Sequence, residues 1–263
     1  MIRRILLALL LARPLTAQSD TVSKTLFTGR DGRIAIGFLL TSAAISHFDP
    51  KITHWFTDTA LSHVRTGQRL DKAFTHINET TLTLAGVAAY GVGRLSHSQS
   101  MTDIAFHTTE AIVSASLASQ VIRGPLGRSR PTTSASQYDF HWFQGFTNFK
   151  YRAFPSIHSA SGFAAATALV EETRIRHPSA VKFVAPILYG LALTPGLSRM
   201  YLGQHWASDV FAGAFMGSFA GMKAVRYSHT HPGYRFQDAF VPTDGLAMSA
   251  LDGRVGLAWS KTF

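Results

Sequence analysis

A chain of 263 residues holds one large domain or two small ones; at 46% hydrophobic and 15% charged, it either buries a large core or turns surface to lipid. It has no cysteine, which excludes disulfides and thiolate metal sites and fits an exported protein. The net charge of +10 points to nucleic acid, an anionic membrane face or a phosphorylated substrate. No basic run interleaves with aromatics and no zinc-finger spacing occurs, so nucleic acid is the weakest of the three.

Residues 1–17 read as a secretory signal: Arg3 and Arg4, a short apolar run, then Leu15-Thr-Ala17 before Gln18. Without them 22 basic and 15 acidic residues remain. Residues 18–32 are polar, with Gly29 and Gly32 as breakers, and 34–48 is an apolar helix candidate. After Asp49-Pro50, apolar residues at Ile52, Trp55, Phe56, Leu61 and Val64, then at Leu70, Phe74 and Ile77, predict two amphipathic helices about a turn at Thr66-Gly67. Further helices are expected over 80–95 and 103–122, the latter carrying His107 and Glu110.

A polar loop from 123 to 154 follows, long enough to suggest function. Its aromatic cluster (Tyr138, Phe140, Trp142, Phe143, Phe146 and Phe149) is either a lid or substrate wall, or a small satellite core. Helices are then expected over 157–174, with Ser156 as N-cap, over 181–197, and over 206–226. In the last, Gly213, Gly217 and Gly221 form a ridge that lets another helix approach closely. Asp252-Gly253 marks a hairpin between 246–250 and 254–260. The expected architecture is all-α: about six core helices plus amphipathic helices, with a small C-terminal β-hairpin. Its divisions are a signal at 1–17, a helical domain at 18–227 and a tail at 228–263.

Three clusters look chemical. In Arg199-Met-Tyr-Leu-Gly-Gln-His205-Trp-Ala-Ser-Asp209, a helix through His205 and Asp209 puts both on one face. A carboxylate on one imidazole nitrogen fixes the tautomer and prepares the other nitrogen for attack. Arg199 adds a planar cation suited to an anion. In Arg123-Gly-Pro-Leu-Gly-Arg-Ser-Arg130, guanidinium groups at a helix end suit a dense anion. In Pro155-Ser156-Ile157-His158, a helix start offers free N–H groups to a phosphate. Taken singly, each is more often a surface pair, a solvated basic loop or an ordinary capped helix.

In this order and spacing the three resemble the signature of the type 2 phosphatidic acid phosphatase superfamily, which includes bacterial acid phosphatases and vanadium haloperoxidases. The resemblance covers about residues 123–209. It departs from the family at two places: Arg123 stands where lysine is usual, and Ile157 stands where glycine is usual.

The resemblance implies that His205 attacks phosphorus to form a phosphohistidine and that Asp209 orients it. His158 protonates the leaving alcohol and then activates water. Arg123, Arg130, Arg199, Ser156 and the Ile157 N–H hold the phosphate oxygens, with no metal or other cofactor. The expected substrate is a phosphomonoester or pyrophosphate, and the expected partners are phosphorylated lipids and a membrane surface. Vanadate enters only under the haloperoxidase alternative, and Ile157 keeps a non-catalytic phospholipid-binding protein as a third reading.

Six spanning helices would put all three motifs on one side and Gln18 on the other, whereas a cleaved signal puts Gln18 on the motif side. The two exclude each other. The reading adopted is an exported, envelope-associated enzyme of the periplasmic side whose helices pack chiefly on each other.

Overall fold

The computed structural model describes residues 27–58, 74, 76–230, 247–251 and 254–258. Among these, seven α-helices build the chain: α1 Gly29–Ser46, α2 Asp49–Asp58, α3 Glu79–Leu95, α4 Gln99–Leu126, α5 Ile157–Arg176, α6 Val181–Tyr201 and α7 Ala207–Thr230. Two short strands, β1 Ala247–Leu251 and β2 Arg254–Ala258, pair antiparallel, with Ala247 opposite Ala258. The signal segment, the Thr66-Gly67 turn with most of the second amphipathic helix, and the Asp252-Gly253 turn lie outside the described residues.

Helix α5 is the axis of the bundle. Its sequence runs through Ser159, Ala160, Gly162, Ala164, Ala165 and Ala168, all buried. Small side chains there let α4, α6 and α7 close in around it. The glycine ridge of α7 meets this face. A β-carbon at Gly213, Gly217 or Gly221 would lie 2.2, 2.1 or 2.7 Å from the carbonyl oxygens of Ser156, Ala160 and Ala164 respectively.

Several helix ends differ from expectation. Gly29 and Gly32 lie inside α1, because Thr28 and Asp31 form a capping box that starts the helix ahead of its apolar run. Helix α4 continues past Arg123 and through Pro125, until Gly127 (φ +61°) ends it in the left-handed region. Helix α6 passes Pro195-Gly196 and ends at Tyr201, which places Ser198 and Arg199 on its last turn. Helix α7 begins at Ala207 and runs to Thr230, past the boundary expected at 227.

The outer faces of several helices are apolar. Ile36, Leu39 and Leu40 of α1, Leu84, Val87 and Val92 of α3, Leu117 and Val121 of α4, and Phe183, Ile187 and Leu191 of α6 all point outward. Segment Pro178–Tyr201 is, by length and composition, the one described helix apolar enough to cross a membrane. Burying so much outward-facing apolar surface needs something other than this chain's own core.

Candidate active site

Four segments converge at one end of the bundle: the C-terminal turn of α4, the loop 127–156 with the first turn of α5, the last turn of α6, and the step between α6 and α7. Backbone hydrogen bonds lace them together. Ser156 N–H donates to the Asp209 carbonyl (3.0 Å), Thr132 N–H to that of Gly203 (3.1 Å), and Ala153 N–H to that of Arg128 (3.1 Å).

His205 is buried in the non-helical step before α7, so it and Asp209 do not share a helical face as expected. The reason is local: residues 202–206 turn the chain from α6 into α7, and Gly203 takes φ +61° there. The strong partner of the ring is main chain. Nδ1–H donates to the Ala153 carbonyl at 2.7 Å, whereas Asp209 Oδ2 stands at 3.5 Å. A carbonyl only accepts, so the proton sits on Nδ1 and Nε2 keeps its lone pair. Burial, helped by the charges of Arg130 and Arg123 and opposed by Asp209, lowers the imidazole pKa to about 4. His205 is therefore a neutral base at ordinary pH.

Asp209 has two further tasks. Its Oδ2 accepts from the Trp206 N–H at 2.8 Å, and its Oδ1 accepts from Arg128 Nη1 at 2.5 Å. Arg128 is fully enclosed. Its Nη2 reaches Asp49 Oδ2 at 2.9 Å, Nη1 also reaches Ser208 Oγ at 2.8 Å, and Nε bonds the Gln137 carbonyl at 2.9 Å. Asp49, at the start of α2, in turn accepts from the Ser208 N–H at 2.9 Å. Arg128 thus clamps α2, the loop and the start of α7; its guanidinium is spent on carboxylates and is not offered to a ligand.

Arg130 stacks on the Phe149 ring, 3.8 Å from its centroid, donates Nε to the Phe149 carbonyl at 3.0 Å and Nη1 to Gln204 Oε1. Burial, then the neighbouring charges of Arg123 and Arg199, lower its pKa to about 9. Arg123 donates Nη2 to the Arg152 carbonyl at 2.7 Å, while its buried Nε has no acceptor. Arg199 Nη2 donates to His158 Nε2 at 2.9 Å, which puts the His158 proton on Nδ1. That Nδ1 is also buried without an acceptor. Two buried donors with no acceptor, set among three guanidinium groups, describe a pocket complementary to an anion.

Ser156 is the N-cap of α5: its Oγ accepts from the Ser159 N–H at 3.5 Å. The first-turn N–H groups of Ile157 and His158 have no intrahelical acceptor. The Ile157 side chain is buried and lines a groove of about 390 Å³ between α3 and α4, with Glu79, Thr83, Ser116 and Gln120.

All eight candidate residues therefore come to this end of the bundle. Sequence reasoning missed Asp49, Arg128 as a clamp, Gln204 and the Ala153 carbonyl. An aspartate before a proline reads as an ordinary helix start, and a carbonyl has no side-chain signal at all. Of the loop aromatics, Tyr138, Trp142, Phe143, Phe146 and Phe149 are exposed, so they form no satellite core, and Phe149 walls the Arg130 guanidinium.

Over 95 residues the chain is 34% identical to a lipid A 4'-phosphatase of Bacteroides thetaiotaomicron, a match covering 36% of this chain and 40% of that relative. The chain thus matches less than half of that relative's length. A crystal structure of the transmembrane PAP2-type phosphatidylglycerolphosphate phosphatase from Bacillus subtilis superposes with a TM-score of 0.59 at 19% identity. That match covers 77% of this chain and 98% of the other, and shows a shared fold. The model of the PAP2 superfamily matches residues 105–232, just under half of the chain, and this stretch holds all three motifs.

Proposed function

We propose that the protein is a phosphatase of phosphorylated lipids that works through a covalent phosphohistidine at His205. The observation that carries this reading is the neutral His205, its Nδ1 held by a carbonyl and its Nε2 lone pair free, beside the unsatisfied donors of Arg123 and His158. A phosphate dianion would satisfy those donors, and its charge would favour protonation of His158.

In the proposed cycle His205 Nε2 attacks phosphorus while the bond to the leaving oxygen breaks, and that oxygen takes a proton from His158. Neutral His158 then removes a proton from water, the resulting hydroxide attacks the phosphohistidine, and phosphate leaves with His205 regenerated. Arg123, Arg130, Arg199 and the first-turn N–H groups of α5 neutralise the equatorial oxygens throughout, the positioning work on which phosphoryl transfer chiefly depends. No step calls on a metal, so turnover is expected to be insensitive to a chelator.

A lipid substrate is supported by the outward apolar faces of α1, α3, α4 and α6, which fit a bilayer, and by the lipid A 4'-phosphatase relative. The N-terminus of α1 lies at the end remote from the site, since Lys223 Nζ contacts Asp31 Oδ2 at 2.6 Å. Arg30, Arg94, Arg174, Arg176, Lys182 and Arg226 belong to that same end, which would then face the cytoplasm and leave the site on the outer side. A cleaved signal at Ala17 is incompatible with this orientation.

The test is phosphate release from lipid A, phosphatidylglycerophosphate and an aryl phosphate by wild type, His205→Ala and Ile157→Gly. Expected are turnover of at least one lipid, loss of it in His205→Ala, and an acid-labile, alkali-stable phosphoryl label on wild type alone. Release undiminished in His205→Ala would overturn the reading. A gain in Ile157→Gly would show that the natural isoleucine restricts the substrate through the α3–α4 groove.

A further inference from the structure

A second cluster lies at the opposite end of the bundle, where α4, α5 and α7 meet. Glu172 of α5 is almost wholly buried, and one of its oxygens, Oε1, faces two imidazoles: His107 Nδ1 of α4 at 2.6 Å and His229 Nε2 of α7 at 3.0 Å. The three potential ligand atoms all lie within 4.8 Å of one another. The other oxygen, Oε2, accepts from Arg176 Nε at 2.9 Å, and Arg176 is itself held by Ser100 Oγ at 3.1 Å and Asp103 at 3.6 Å.

We propose that His107, Glu172 and His229 bind one divalent cation of the zinc class. Two imidazole nitrogens and one carboxylate oxygen form a borderline donor set that suits Zn²⁺, with water as the fourth ligand. At ordinary Zn–N and Zn–O lengths, tetrahedral ligand atoms stand roughly 3.4 Å apart. The ring nitrogens need to withdraw from Oε1 by less than about 1 Å to admit the ion. Arg176 leaves Oε1 free and fixes the carboxylate through Oε2, as outer partners of ligating carboxylates do. His229 is partly exposed near the end of α7, which gives the ion a way in from solvent. The ion would pin three helices that are already joined here by Arg176 to Ser100 and Asp103 and by Arg226 to Glu171.

The site is separate from the phosphate pocket. His107 and Arg123 are 16 positions apart on α4, or roughly 24 Å along a helix at about 1.5 Å per residue. The inference therefore does not depend on the phosphatase reading.

The experiment uses the full chain, purified in detergent, stripped with a chelator and titrated with Zn²⁺ and, separately, with Co²⁺. Variants are His229→Ala, Glu172→Gln and His205→Ala. Wild type and His205→Ala are expected to bind one equivalent of Zn²⁺, to show the intense visible bands of four-coordinate Co²⁺, and to gain in Tm with Zn²⁺. His229→Ala, altered at a helix end and expected to fold, should bind more than about 100-fold more weakly, beyond what loss of a supporting residue costs. It should also show neither the bands nor the Tm gain. Fewer than half an equivalent on wild type, or binding unchanged in His229→Ala, would overturn the proposal. So would binding lost in His205→Ala and kept in Glu172→Gln, which would place the ion in the other pocket.

Discussion

Arg128 shows how a charge inside a recognisable motif can serve the fold instead of the ligand. It bridges Asp49 and Asp209 with no solvent on any of the three. Removing one member of such a group leaves the others charged and unpaired, so Arg128→Ala is expected to cost about 3–5 kcal/mol in denaturant titration. Arg128→Lys should recover little, because one ammonium cannot span two carboxylates and Ser208 at once. His205 sets the acid limb of the pH profile. With its pKa near 4, kcat/KM should fall as pH drops through that value, when Nε2 takes a proton. The same shift affects stability: an unfolded His titrates near about 6.5, so the unfolded chain gains its proton first. The contribution of His205 is thus complete above about 6.5 and is lost as pH falls towards 4. At this scale the meeting of the eight candidate residues at one end of the bundle could be anticipated from the order and spacing of three motifs, although Arg123 and Ile157 depart from the usual types. Asp49 could not, since its partner sits in a segment some 79 positions away.

At the scale of elements, the glycine ridge of α7 was visible as a four-residue repeat, and the structure gives it an object. The backbone of α5 runs so close that Gly217 has the Ala160 carbonyl where a β-carbon would be. Gly217→Val is expected to force the helices apart, costing roughly 1–3 kcal/mol or more and lowering Tm. It should reduce activity as well, since the first turns of both helices carry the site. Helix ends were less legible. Pro125 and Pro195-Gly196 look like stops, yet both helices pass them, because in the last turn of α4 and of α6 tertiary packing outweighs local preference. Those extra turns are what bring Arg123 and Arg199 to the pocket.

For the whole molecule, composition left two outcomes open, a large core or a lipid-facing surface, and the outward side chains of four helices favour the second. Replacing Ile187 and Leu191, both exposed on α6, with arginine should shift the protein from the membrane to the soluble or aggregated fraction in a flotation assay. At the bilayer centre each such residue costs about 2.5–3.5 kcal/mol on insertion scales. Helix count could be read from apolar periodicity, but which faces meet lipid could not, since a buried alanine-rich helix and an exposed leucine-rich one are both simply apolar in sequence. The atom that steers His205 is the amide oxygen of Ala153, an acceptor no codon specifies and no point mutation deletes. A relative could retain every diagnostic letter and still be inert if an insertion elsewhere in the 127–156 loop swung that oxygen aside. Intact motifs alone are therefore an insufficient test of competence among such chains.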